Sequence, residues 1–264
     1  MSQLRVGLIG YGAIGSLVAE AVAGRDDMAL AGVLLRPESQ RALPEALPLV
    51  TDAAGLLAKQ PNIVVEAAGH GGLRAYGAAI LSGGVDLLIA SVGALADAEL
   101  ENRLRTAAKA GRARVLVPAG ALGGLDALGA AKHAGLERVQ YIGRKAPKAW
   151  IGTKAESMID LAKVTEPTPF FEGSAREAAL AFPQNANVVA AVALAGLGFD
   201  HTRVRLMVDP TEARNQHSVE ASGAFGSFSS HVVAQVLPSN PKTSMLAPYS
   251  LVRGLCGMVD TIAA

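Results

Sequence analysis

Leu4 to Gly24 constrains this chain more than any other stretch. Leu4 to Ile9 is a short apolar run with the residue types of a buried strand. Gly10, Gly12 and Gly15 follow in the spacing G-x-G-x-x-G, with Ala13 and Ile14 between the last two. Ser16 to Ala23 then reads as a helix that Gly24 ends. Each glycine has a physical reason. Gly10 permits a tight turn, Gly12 offers bare backbone to a pyrophosphate, and Gly15 lets helix and strand approach closely. The helix start adds unpaired N–H groups and the positive end of its dipole. The turn of Gly10, Gly12, Ala13, Ile14 and Gly15 is therefore expected to hold the phosphates of a dinucleotide.

The second strand is read at Met28 to Leu35. An acidic residue at its end would bind the ribose 2′-hydroxyl of NAD. Arg36 stands there instead. An arginine can stack on adenine and pair with a 2′-phosphate, so both NAD and NADP are expected as cofactors. Strands follow at Ile63 to Ala67, Val85 to Ala90 and Arg114 to Val117. Helices at Ala53 to Lys59, Leu73 to Ser82 and Asp97 to Gly111 alternate with them. The strands end in small residues, which line the ligand side of an open α/β sheet. Ala68, Gly69 and His70 after one strand, and Ser91 and Val92 after the next, are thus candidate cofactor contacts. The alternation predicts a doubly wound parallel sheet of Rossmann type.

The texture changes after Gly124. Leu125 to Ala134 reads as a helix, and Arg138 to Arg144 alternates like a strand with one wet face. Lys145 to Thr153 reads as a loop. Ser174 to Ala181 and Asn187 to Ala195 read as helices. Thr202 to Val208, Gln216 to Ala221 and Gly226 to Gln235 alternate at period two, which predicts an antiparallel sheet. Pro238 to Pro241 reads as a turn and Met245 to Ile262 as an apolar helix. The fold class is thus α/β, with an α+β second domain carrying a mostly antiparallel sheet. The dinucleotide domain is placed at 1–120, completed by the C-terminal helix at 240–264, and the substrate domain at 121–239.

Composition narrows the function. Net charge is +1 with no basic stripe, which argues against nucleic acid. The single cysteine, Cys256, makes an intramolecular disulfide impossible and a cysteine zinc site implausible. No metal is expected. Met1 leads almost directly into the first strand, so no signal peptide is expected. No apolar run reads as a membrane span. A cytoplasmic location fits these readings.

Several stretches then stand out together: GLIGYGAIG, VVEAAGH, SVGAL, PAGALGGLDAL, RKAPKAW, FPQNANVVAAVALAG and NQHSVE. In them the chain resembles the L-aspartate dehydrogenase family over almost its whole length. The resemblance implies an enzyme that interconverts L-aspartate with oxaloacetate and ammonia, through iminoaspartate, using NAD or NADP. It also implies a homodimer, and a last helix that folds back onto the nucleotide-binding domain. The family's nicotinamide-site alanine matches Ala121, its cofactor-contacting asparagine Asn187, and its catalytic histidine His217.

The residues can be weighed beside this. Amine oxidation needs a proton acceptor, and histidine suits that at neutral pH. His133, His201 and His231 have bland settings, whereas His70 and His217 have polar ones. From the residues alone the choice stays open between these two, and the resemblance selects His217. Two substrate carboxylates call for cations or convergent donors. Lys145 and Lys148, with Thr153 and Asn185 behind them, are the candidates. The two-faced strands from Gln216 to Gln235 also suit a homodimer. Competing readings are a related oxidoreductase acting on another small amino acid, such as homoserine, and a non-catalytic NAD(P) sensor. The polar cluster around His217 argues against the sensor.

Overall fold

A computed structural model describes residues 3–36, 43–183 and 185–262. The chain divides into two compact units, Met1–Pro118 with Ala247–Ala264, and Ala119–Leu246.

The first unit opens with β1 (Leu4–Ile9) and α1 (Ala13–Ala23). Then come β2 (Met28–Leu34), β3 (Leu49–Val50), α2 (Ala53–Ala58) and β4 (Ile63–Glu66). They are followed by α3 (Gly69–Ser82), β5 (Asp86–Ile89), α4 (Ala98–Gly111) and β6 (Val115–Leu116). The six strands form one sheet in the order β3-β2-β1-β4-β5-β6, and every pairing is parallel. This is the doubly wound order, with the chain reversing direction between β1 and β4. Apolar runs such as Val64 and Val65 are fully buried, as a sheet covered on both faces requires.

Local details depart from the sequence reading. β3 is only two residues long and gave no periodic signal. α1 starts at Ala13, three residues before Ser16. α3 starts at Gly69, so Gly69 and His70 lie in its first turn rather than in a preceding loop. Gly69 opens that helix at φ +81°, a conformation that helix propensity does not anticipate.

The second unit contains α5 (Leu125–His133), β7 (Leu136–Lys145), β8 (Thr168–Ser174) and α6 (Ala175–Ala181). It continues with α7 (Ala186–Ala195), β9 (Arg203–Val208), β10 (Asn215–Gly223) and β11 (Gly226–Ala234). Its five-stranded sheet runs β11-β10-β7-β9-β8. Three pairings are antiparallel, and β7 with β9 is parallel. β8 was not anticipated, because its apolar residues Phe170 and Phe171 are adjacent and break the alternation. Lys145 is the last residue of β7, not the first of a loop. The segment read as a turn at Pro238 to Pro241 is a hairpin of β12 (Val236–Leu237) and β13 (Asn240–Ser244).

The final helix, α8, spans Leu246–Cys256, shorter than the apolar stretch around it. Its Leu251 and Leu255 share a core cluster with Val6, Leu8, Val18 and Val33 of the first unit. Among the described residues, no helix is long and apolar enough to cross a membrane.

Candidate active site

The turn after β1 has the geometry a dinucleotide requires. Gly10 sits at φ +91°, where a side chain is strained. A Cβ on Gly15 would collide with the Gly10 carbonyl oxygen, so close approach of turn and helix explains that glycine. Gly12 caps α1 with no side-chain hydrogen bond, and the first helical turn holds no acidic residue. The first intrahelical bond runs from the Ser16 N–H to the Gly12 carbonyl. The N–H groups of Ala13, Ile14 and Gly15 precede it and lack intrahelical acceptors. A cavity of about 390 Å³ opens here, lined by Gly10, Gly12, Leu34, Arg36, Ala68 and Tyr76 among others. Bare amides, a positive helix end and an exposed Arg36 fit a phosphate-bearing dinucleotide.

A buried carboxylate braces the next two strand ends. Glu66 closes β4 with no solvent exposure. It accepts hydrogen bonds from the Ala68 N–H (2.7 Å), the Ser91 N–H (3.1 Å) and the Ser91 hydroxyl (3.0 Å). Burial pushes its pKa up, and these donors pull it back. Ala68, Gly69, Ser91 and Val92 thus lie on segments tied to one side chain. Ala68 and Gly69 are exposed, His70 is half-buried, and Ser91 and Val92 are buried.

In the second unit, His217 lies on the buried face of β10 with only 5% exposure. Its Nδ1 is 2.7 Å from the Tyr141 hydroxyl oxygen on β7. Gly143 stands opposite His217 in the β7–β10 ladder. A Cβ at Gly143 would come 2.9 Å from the Tyr141 hydroxyl, so glycine leaves the space that hydroxyl occupies. Lys145 follows two residues on, on the same face, 7% exposed, with its Nζ 5.3 Å from the Trp150 ring centroid. Burial lowers the Lys145 pKa to about 8. Burial, with added repulsion from Lys145 and His231, lowers that of His217 to about 4.

The other candidates are placed as follows. Asn185 precedes α7, is 1% exposed, and neither of its side-chain amide atoms has a partner among the described residues. Asn187 is exposed in the first turn of α7, and Ala121 is buried in the turn before α5. Lys148 is exposed. Thr153 donates its hydroxyl to the Trp150 carbonyl and accepts from the Ala155 N–H, which commits it to the local turn. His133, His201 and His231 are exposed, and His231 bonds Ser218 at 2.8 Å. The sequence reading did not single out Tyr141, Gly143 or Glu66. Tyr141 carried one signal: in RVQYIGRK it alternates in phase with Gly143 and Lys145.

Comparisons with known proteins converge on one family. Residues 126–258 match the family model described as aspartate dehydrogenase, C-terminal, and residues 10–118 match the one described as homoserine dehydrogenase, NAD binding domain. The chain is 45% identical to an L-aspartate dehydrogenase of Ruegeria pomeroyi, over 96% of this chain and 92% of that one. It is 42% identical to one of Pseudomonas aeruginosa, over 96% and 97%. Among solved structures, it superposes on an aspartate dehydrogenase from Thermotoga maritima with TM-score 0.77 and 27% identity, covering 98% of each chain. A dihydrodipicolinate reductase from Paenisporosarcina, at 12% identity and TM-score 0.54, shares the fold.

Proposed function

The chain belongs to the L-aspartate dehydrogenase family, and on that basis we propose that it oxidatively deaminates L-aspartate to oxaloacetate and ammonia with NAD or NADP, and runs the reverse amination. The observation that carries the reading is the buried face of the second sheet. There His217, Tyr141 and Lys145 lie together around the gap left by Gly143. A pure cofactor sensor has no use for a buried imidazole beside a buried amine of lowered pKa.

Gly10, Gly12, Ala13, Ile14 and Gly15 would hold the pyrophosphate. Arg36 would meet the adenosine ribose or its phosphate. Ala68, Gly69, His70, Ser91 and Val92, with Ala121 and Asn187, would complete the cofactor contacts. When bound, the cofactor supplies a hydride acceptor. The protein's residues do the rest: bind two carboxylates, order the amine, and manage its protons. Lys145 and Asn185 are buried with polar atoms to offer, which favours them over exposed Lys148 and the committed Thr153, Asn185 toward a carboxylate and Lys145 toward the amine. His217 acts at the reacting carbon. A homodimer through the open face of the second sheet, where Gln216, Ser218 and Glu220 alternate with the buried residues, fits the same reading. A cytoplasmic location goes with it.

The test is direct. Purified protein should reduce NAD or NADP with L-aspartate, and oxidise the reduced cofactor with oxaloacetate and ammonium. Homoserine, glutamate and alanine should be poor substrates. His217→Ala should cut kcat by roughly 10²–10³-fold, the usual cost of removing a hydrogen-bond donor at the reacting centre, while leaving cofactor affinity intact. Faster turnover of homoserine than of aspartate would overturn the substrate assignment.

A further inference from the structure

We infer that Tyr141 fixes neutral His217 as the tautomer protonated on Nε2, and that Lys145, rather than His217, accepts the proton from the substrate's α-ammonium group. The inference rests on the aspartate dehydrogenase reading above.

The tautomer follows from one buried hydroxyl. Tyr141 is wholly buried, and among the described residues its hydroxyl meets one polar group, Nδ1 of His217. A buried O–H must donate somewhere. Nδ1 is therefore the bare nitrogen that receives it, and 2.7 Å suits an O–H donor. Burial pushes the phenol's own pKa up, so it keeps its proton. Neutral imidazole carries one proton, which is then on Nε2. Such an Nε2 has no lone pair with which to accept another. A second proton is disfavoured because burial, the largest cause, lowers the imidazole below its ordinary value whatever the charge on Lys145. His217 thus presents a neutral N–H donor. A neutral imidazole in this state polarises a carbonyl oxygen rather than acting as a base.

The base must be another group on this face. Lys145 shares the face with Tyr141 and Gly143 and lies diagonally from His217 across the β7–β10 ladder. Its Nζ has no hydrogen-bond or ion-pair partner among the described residues, only the Trp150 ring. The other charges of the surrounding elements point away. Arg144, Arg203, Arg205 and Glu220 sit at positions of opposite parity, on the far face. Asp126, Lys132 and His133 of α5 are exposed, and α7 carries no charge. Asp209, just after β9, bonds Thr211 and lies 4.0 Å from Arg144. With no anion to hold its proton, buried Lys145 releases it at about pH 8 instead of the usual 10.5.

The step balances. An N–H bond of the substrate ammonium breaks and an Nζ–H bond of neutral Lys145 forms. The substrate keeps the electron pair as a neutral amine, whose lone pair would form the C=N bond as the α-C–H bond breaks and its hydride passes to the acceptor that a bound NAD or NADP would supply. In the reverse amination the His217 Nε2–H donates a hydrogen bond to the carbonyl oxygen of oxaloacetate, and no proton leaves the imidazole.

Two experiments decide the matter. In ¹⁵N NMR of the cofactor-free protein, the signals lost in His217→Gln should show a protonated Nε2 and a bare Nδ1. A protonated Nδ1 would overturn the Tyr141 half. Lys145→Ala should lower kcat for aspartate oxidation by roughly 10²–10⁴-fold, with reduced-cofactor binding unchanged by fluorescence. Added small primary amines should restore turnover in order of basicity. Lys145→Met preserves the buried volume, so native melting with lost turnover separates chemistry from folding. Turnover of either variant within twofold of the unaltered enzyme, or no amine rescue, would overturn the Lys145 half. Failure of the unaltered enzyme to oxidise aspartate would refute the reaction and the Lys145 half with it, while the NMR would still decide the tautomer.

Discussion

Gly143 and His217 are register partners across β7 and β10, and the side chain that Gly143 lacks would stand where the Tyr141 hydroxyl meets the imidazole. A methyl group there has two obstacles, Tyr141 Oη at 2.9 Å and Leu206 Cδ2 at 3.2 Å. Tyr141 is buried and cannot swing into solvent. Gly143→Ala is therefore expected to stretch the tyrosine–histidine hydrogen bond and leave the imidazole less constrained. The loss should be about fivefold in kcat, the order of one hydrogen bond of about 1 kcal/mol. Steady-state kinetics checks this, with unchanged KM for the cofactor as the control.

Arg36 is exposed at the rim of the cavity lined by Gly10 and Gly12. The guanidinium offers a 2′-phosphate a charge-assisted, two-pronged contact. Arg36→Asp removes that partner and adds repulsion, while offering NAD's 2′-hydroxyl an acceptor. Affinity for NADP should fall by about tenfold or more, and that for NAD should hold or improve. Calorimetric titration of both cofactors reads the difference. Equal losses would mean that Arg36 does not face the ribose.

Most of the first unit was legible because its signals are local. A strand, three spaced glycines and a helix lie within 21 residues, and two of the glycines, Gly10 and Gly15, each answer a nearby backbone atom. The four longer strands of that sheet were read to within a residue or two, because buried parallel strands are unbroken apolar runs. β3 was missed, since two residues carry no period. β8 was missed because its aromatic pair breaks the alternation. The site was legible as a set of residue types but not as an arrangement. Nothing in the sequence says that Tyr141 meets a histidine 76 positions away. That contact depends on the register of two strands and on an absent side chain between them. The cross-brace of Glu66 to Ser91 is hidden in the same way, because it joins the ends of separate strands.

That cross-brace has a measurable consequence. Glu66 takes three donors into one buried carboxylate, and all three hold segments at the carboxyl end of the sheet. Glu66→Gln preserves the shape but replaces one accepting oxygen with an NH₂ that faces donors. At least one N–H or O–H then loses its acceptor, at a cost of about 1–3 kcal/mol. Denaturant unfolding should show that loss. Cofactor binding should weaken as well, because Ala68 lines the cavity beside Gly10.

His217 also sets a pH dependence of stability. Its folded pKa is about 4, against 6.5 for the free side chain, with burial the main cause. A base with a lowered folded pKa binds its proton more readily when the chain is unfolded. Between pH 6.5 and pH 4 the unfolded state therefore holds more protons, and stability falls as the pH drops through that window. Above pH 6.5 neither state is protonated, and the stabilisation is fully present. From pH 7 to pH 5 the loss from this one group should be roughly 2 kcal/mol. His217→Gln keeps a polar side chain but cannot titrate. Urea unfolding of both proteins at pH 7 and pH 5 should show a steeper fall for the unaltered chain, by about that amount. Parallel losses in the two proteins would place the acid sensitivity elsewhere, in carboxylates such as Asp27, Asp97 and Asp200, whose arginine partners hold their pKa values down. Those groups lose their stabilisation only at lower pH, near and below the ordinary carboxylate range, so a fall that begins near pH 6.5 and is well under way by pH 5 points to the imidazole.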